Sequence, residues 1–429
     1  LNFPMELIFP DIFNLLENLH ILVYLGLLVL FSYAGGEVAS FLKTPRVTGY
    51  IVTGILFGPS VIGLFHERLV KEELDLITHI ALGIIAFSIG GSLELKKIKA
   101  LGKQIAWINF AEAFGAFLVV TVFLALLFPL ISETGSASGS FWSTYFPVAL
   151  LIGAMSSATA PAAVLAIVHE YKAKGPFTTI LLGVVALDDA IAIFLFAFAG
   201  SVAGSLVGHH GISWQNFLLV PLYSILISLC IGGVLGLCIR KFIFLVPRRE
   251  AMLGVIVGLI FLTSGLAIAL RASPLLANMM LGFMVVNFVA YRQDLFQVVE
   301  GIEEPIFGMF FILAGAHLDL GVIETAGWLA LLIVLGRFSG KLLGVRLGAR
   351  ISQAPETVRK YLGLALLPKA GVTVGLVLEA KGILAQTPLL EIAVSGVLGS
   401  VVINELLSPY LTKFALTKAG EASQKSDLD

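Results

Sequence analysis

The chain has 429 residues, of which 58% are hydrophobic and 13% charged, with a net charge of −1 and a mean hydropathy of +0.99. A soluble domain carries about 25% charged residues, so this composition excludes an ordinary soluble enzyme, and the balanced charge excludes a nucleic-acid partner. The expectation is a polytopic inner-membrane protein, not an enzyme, that moves ions or small solutes and has the lipid bilayer as its surroundings.

Thirteen apolar stretches are long enough to be read as membrane spans, about 20 residues each. The opening LNFPMELIFPDIF lacks a basic n-region, so the first apolar run reads as a span and not as a cleaved signal. Spans one to three are predicted at 18–42, 45–65 and 74–95. Span four, 104–131, contains the buried acid Glu112 in INFAEAFGAF. Span five, 145–169, carries the small and hydroxylated cluster MSSATAPAAV, with Ser156, Ser157, Thr159 and Pro161. Span six, 176–206, reads LLGVVALDDAIAIFLF, placing Asp188 and Asp189 side by side between apolar flanks. Spans seven to ten are predicted at 216–239, 250–270, 273–291 and 302–318. Cys230 and Cys238 share one apolar stretch, which suits helix packing and neither a disulfide framework nor a metal site. Span eleven, 325–348, contains VLGRFSGKLLGV with Arg337 and Lys341. Span twelve, 360–380, contains LLPKAGVTVG with Pro368 and Lys369. Span thirteen, 387–415, completes a single membrane unit over 1–418, followed by a polar tail, 419–429, expected to be disordered.

Loops after odd-numbered spans, with the C-terminal tail, hold 20 of the 27 Lys and Arg, and loops after even-numbered spans hold 4. Basic residues concentrate on the cytoplasmic side. The reading is therefore an N-terminus outside and a cytoplasmic C-terminus in the cell's inner membrane.

Spans five and twelve are each interrupted by proline near the middle. Proline removes an amide donor and crowds the preceding turn, which lipid tolerates only where the freed groups line protein or a cavity. The two breaks lie seven spans apart, and an odd offset means that spans 1–6 and 8–13 start on opposite sides. Inverted repeats with paired discontinuous helices point to a transporter site at the midplane.

Ionisable residues inside spans mark ion paths. Two bare aspartates in lipid are costly, so at least one of Asp188 and Asp189 must be paired, protonated or bound to a cation. Adjacent helical positions point about 100° apart, so the two need not share one partner. Arg337 and Lys341 are four apart and share a helix face. Lys341 is either the counter-charge of the aspartates or a side chain snorkelling to the cytoplasmic interface. Glu112 lies in the repeat-mate of span eleven, which suggests a structural Glu112–Arg337 pair. Lys369, inside the second break, is placed to offset carbonyl dipoles at a helix end.

These residues resemble sodium/proton antiporters of the cation:proton antiporter-2 family, from about span two to span thirteen. PRVTGYIVTGILFGPSVIG (Pro45 to Gly63) is similar to the family's opening signature, Asp188–Asp189 to the paired aspartates of its electrogenic members, and GKLLG (Gly340 to Gly344) to the segment with their buried lysine. The resemblance implies an all-α fold of thirteen transmembrane helices with interleaved dimerisation and core subdomains, and broken helices five and twelve crossing near the aspartates. It implies a homodimer that exchanges sodium, lithium or potassium for protons by alternating access and needs no cofactor. It implies that Asp189 binds the cation, that Asp188 pairs with Lys341 as proton carrier, and that Ser157, Thr159 and nearby carbonyls line the site. Many relatives have an aspartate in the first break where this chain has Ala160, which leaves polarity there to Ser156, Ser157 and Thr159. Two other readings remain: a sodium-coupled symporter whose Lys369 or Arg337 binds an organic anion, and an aspartyl intramembrane protease. The protease would need its aspartates on separate helices.

Overall fold

The computed structural model describes residues 20–66, 68–131, 141–207, 219–242, 249–289, 292–369, 389–422 and a few single positions between 373 and 384. Among these residues every ordered element is helical. The α-helices are α1 (Ile21–Phe41), α2 (Arg46–Phe57), α3 (Asp75–Ser92), α4 (Leu95–Ile131), α5 (Phe146–Met155), α6 (Pro161–Glu170), α7 (Pro176–Val207), α8 (Val220–Phe242), α9 (Arg249–Ala269), α10 (Pro274–Phe288), α11 (Arg292–Ala316), α12 (Gly321–Ile351), α13 (Glu356–Ala365) and α14 (Leu390–Lys418). Short π-helical turns precede α3 and α5. Among the described residues, eight helices are long and apolar enough to cross a membrane: α1, α3, α4, α7, α8, α9, α12 and α14.

Each predicted stretch overlaps a helix, and the fifth overlaps two because Pro161 opens a second one after the break. In the twelfth, α13 covers only residues 360–365, and most of 370–380 lies outside the described residues. Helix and span boundaries differ where charge permits helix outside lipid. Span four was expected from residue 104, yet α4 begins at Leu95 and runs 37 residues, about 55 Å at 1.5 Å per residue. Its first turns carry Lys96, Lys97, Lys99 and Lys103. Lysine is a good helix former that lipid rejects, so hydropathy marks the membrane boundary and misses the helix start. In the same way α11 begins at Arg292, ten residues before the predicted span.

The helices form two compact units that interleave along the chain. The first comprises residues 1–94, 165–170 and 227–321. Its helices pack through glycine. A Cβ at Gly282 would meet the Phe87 carbonyl, and one at Gly54 the Ile312 carbonyl, so α3 approaches α10, and α2 approaches α11, at backbone distance. Phe87, Ile256, Ile260, Leu281 and Val285 fill its core. Buried Glu303 is held here by the Ser88 hydroxyl and His169. The Arg46 guanidinium meets Glu37 and Glu304, and its backbone N–H meets the Glu170 carboxylate.

The second unit comprises residues 95–164, 171–226 and 322–429. Phe117, Leu124, Phe128, Ile152, Phe196, Ile333 and Val397 are among its core side chains. The first residues of the polar tail are ordered, contrary to expectation. The Glu421 carboxylate accepts N–H bonds from Phe177 (2.8 Å) and Thr178 (2.7 Å), the first free amides of α7. An anion is favoured at a helix N-terminus, which is why this part of the tail docks. Residues 423–429 lie outside the described residues.

Candidate functional site

The site is assembled from α4, α7, α12 and the two interrupted segments, all within the second unit. Glycines on one edge of α12 bring it onto α4. A Cβ at Gly340 would lie 2.7 Å from Ala116 Cα, and one at Gly344 2.6 Å from Glu112 Cα, both closer than packing permits. Gly348 continues the row against the Trp107 carbonyl. With no side chains between the helices, Lys341 beside this row reaches across to Glu112. The Asn109 amide, donating to the Val184 carbonyl at 2.8 Å, fixes α7 against α4 one turn before the aspartates.

Lys341 is fully buried and all three ammonium donors are used. Nζ lies 2.5 Å from Glu112 Oε2, 2.7 Å from Thr159 Oγ1 and 3.3 Å from Asp188 Oδ2. The snorkelling alternative does not describe this geometry. Glu112 and Asp188 are likewise fully buried. Asp189, a further 100° around α7, is half-buried. Glu112 Oε1, Asp188 Oδ1 and Asp189 Oδ1 are buried acceptors with no hydrogen-bond partner.

The predicted Glu112–Arg337 pair is replaced by Glu112–Lys341. Arg337, also fully buried, instead serves the two breaks. Its Nε donates to Ser156 O (2.9 Å), Nη1 to Leu367 O (2.5 Å), and Nη2 to Ala158 O (2.7 Å), Leu366 O (3.3 Å) and Pro368 O (3.3 Å). These carbonyls sit where α5 and α13 end, so they have lost their intrahelical donors and carry the negative ends of two helix dipoles. A planar guanidinium with five N–H groups fits such a cluster better than an ammonium. The two breaks also meet directly, with the Ala160 N–H donating to Pro368 O at 2.9 Å.

Lys369 therefore does not perform the carbonyl-capping role expected of it. Its Nζ donates to Ser400 Oγ on α14 at 3.1 Å, and its backbone N–H donates to Glu405 Oε1 at 3.2 Å. Glu405, a buried acid on α14, was not singled out in the sequence. Its signal was an acid deep within the apolar run of span thirteen, followed by Pro409. The Ser157 hydroxyl donates to the Ala154 carbonyl of its own helix at 2.7 Å, which leaves its oxygen as an acceptor. Ser156 does the same toward Ile152. Thr159 points inward, accepting from Lys341 and donating to Leu366 O at 3.3 Å. Residues 370–372, in the second break, lie outside the described residues.

Glu112, Asp188, Asp189 and Glu405 face only three interior cations, Arg337, Lys341 and Lys369, among the described residues of this unit. With every group ionised, one negative charge is uncompensated. An unneutralised carboxylate in a low-dielectric interior is costly, so the cluster is suited to hold one proton or one monovalent cation. Arg337 is occupied by carbonyls, and the Lys369 ammonium donates to the Ser400 hydroxyl.

A model of the transmembrane sodium/hydrogen exchanger family matches residues 26–413. The chain is 23% identical to the probable Na+/H+ antiporter GerT of Bacillus cereus over 367 residues, which cover 84% of this chain and 90% of that protein. It is 24% identical to the high-affinity Na+/H+ antiporter NhaS3 of Synechocystis, covering 84% and 82%. Among solved structures, the sodium proton antiporter MjNhaP1 from Methanocaldococcus jannaschii, imaged by electron microscopy, superposes with a TM-score of 0.73 at 19% identity. The superposition covers 94% of this chain and 99% of that one.

Proposed function

Because this chain belongs to the transmembrane sodium/hydrogen exchanger family, we propose that it exchanges protons for sodium electrogenically, through alternating access to the Asp188–Asp189 site. It is a multi-pass membrane transporter. Lithium and potassium are alternative cargo. The observation that carries the reading is the cluster of three carboxylates, each with an unpartnered buried oxygen, around a lysine whose donors are all used. Sodium and protons relieve the same excess negative charge, so one excludes the other, and mutually exclusive occupancy at a site that opens alternately to each side is exchange.

Asp189 is the cation ligand in this reading, because it is free of the lysine and half-buried. Asp188 and the Thr159 hydroxyl are the adjoining oxygens. The cation displaces Lys341 from Asp188, the longest of its three contacts at 3.3 Å, and the charge so released makes Lys341 the second proton carrier of the cycle. Net charge moved per turnover is driven by about 2.3 kcal/mol per 100 mV.

Around this site we read thirteen spans in inverted repeats, an external N-terminus, and a homodimer of the electrogenic cation:proton antiporter-2 type. The two helix breaks joined at Ala160 and Pro368, and the paired aspartates, support that assignment. The deciding experiment is proton flux in proteoliposomes with sodium, lithium or potassium supplied in turn at clamped potential. Sodium-driven flux that responds to potential is expected. Flux that requires an organic anion would overturn the assignment.

A further inference from the structure

Lys341 has two carboxylate partners of unequal strength. Glu112 Oε2 lies 2.5 Å from Nζ and Asp188 Oδ2 lies 3.3 Å away, with all three side chains fully buried. Charge-assisted N–H···O bonds are strongest near 2.7–2.9 Å and weaken beyond about 3.2 Å. The short contact is thus the resident ion pair and the long one is the pair that yields. The backbone favours the shorter contact. Gly340 and Gly344 carry α12 so close to α4 that a Cβ at either would meet the α4 backbone, which keeps Lys341 within short reach of Glu112. Asp188 reaches the same ammonium from a different helix. Thr159 Oγ1, at 2.7 Å, completes a grip on Nζ that does not depend on Asp188.

We infer that Glu112 is a positioning residue for cation affinity: it holds Lys341 so that Asp188 can be handed to the incoming cation. This rests on the exchange reading above and adds a role that paired aspartates and a lysine do not contain. Losing one of two anionic partners costs the ammonium less than losing its only one. If Glu112 were neutral, Asp188 would be the sole carboxylate on Lys341, and sodium would have to displace a full buried ion pair. Glu112 thereby sets how much sodium is needed, without itself touching the ion.

The test compares native protein, Glu112→Gln, Lys341→Gln and Glu112→Gln/Lys341→Gln in proteoliposomes, measuring the sodium KM and kcat of proton flux. Glu112→Gln is expected to raise KM at least tenfold, with a kcat at saturating sodium within about threefold of native. Removing the competing ammonium in the double variant is expected to bring KM back to within about threefold of native. A residue that only supports the fold would lower the amount of active protein, and hence kcat, while leaving KM alone. An unchanged KM in Glu112→Gln, or a raised KM that the double variant does not relieve, overturns the inference. Should Glu112→Gln not yield folded protein, Glu112→Asp withdraws the carboxylate by one methylene and must raise KM severalfold, an unchanged KM again being fatal. Failure of the exchange reading itself shows separately, as absence of sodium-driven flux in the native protein.

Discussion

The backbone amide of Ala160 donates to the carbonyl of Pro368 at 2.9 Å, across 208 positions of sequence. Each residue lies in an interruption that would be untenable alone in lipid, and each supplies what the other lacks. Arg337 closes the arrangement by taking up five carbonyls from the same two segments. The breaks are therefore one structural object, and the carboxylate cluster is built beside it.

Arg337→Ala is expected to lower thermal stability severely. A buried acceptor left without its donor costs about 1–3 kcal/mol, and five lose the same partner at once. Arg337→Lys should recover only part of the loss, because an ammonium has three donors and no planar fork. Thermal unfolding of the purified variants checks this, and a melting temperature equal to native for Arg337→Ala would show that the carbonyls find other donors.

Asp189→Asn should abolish sodium-driven proton flux and leave a folded protein. The amide keeps the shape but removes the charge that makes proton and cation alternatives. Flux in proteoliposomes, with the melting temperature as control, decides the matter. Appreciable exchange would remove Asp189 from the site.

Lys341→Gln removes the cation that Glu112 and Asp188 share. Breaking a buried pair by deleting one partner costs roughly 3–5 kcal/mol, so the melting temperature should fall. Exchange should continue at a reduced rate but lose its dependence on membrane potential, because the second charge no longer moves. Unchanged stability together with unchanged potential dependence would refute both roles.

Two glycines in long apolar helices should respond oppositely to alanine. A Cβ at Gly344 lands on the Ala111 carbonyl and Glu112 Cα, whereas one at Gly254 meets nothing within 4 Å. Gly344→Ala should part α12 from α4, lowering both stability and flux. Gly254→Ala should be neutral or stabilising by up to about 1 kcal/mol, since glycine costs helix entropy. Equal melting temperatures would mean that the close approach of α4 and α12 contributes nothing.

The orientation read from the Lys/Arg asymmetry predicts that Arg271→Cys labels with an impermeant thiol reagent from outside. Lys360→Cys should label only from the cytoplasmic face. The two native cysteines are first changed to serine. Reversed labelling would invert every side assigned to a loop.

By itself, the sequence located the apolar segments in their order, the two interruptions, and most of the ionisable residues that lie inside, Glu303 and Glu405 being the exceptions. Lipid imposes each of these locally: a span needs about 20 apolar residues, a mid-span proline frees a carbonyl wherever it occurs, and an acid such as Asp188 between apolar flanks is conspicuous without any partner. Tertiary structure alone decided who pairs with whom. Arg337 and Lys341, four apart on one helix face, look interchangeable as partners for Glu112. The glycine row of α12 lowers Lys341 onto Glu112, while the carbonyls left by α5 and α13 claim Arg337. Ser157 and Thr159 show the same limit, since one hydroxyl turns back to its own helix at Ala154 and its neighbour turns to Lys341. Which way a side chain faces in an unwound segment follows from backbone angles that only the packed partner segment fixes.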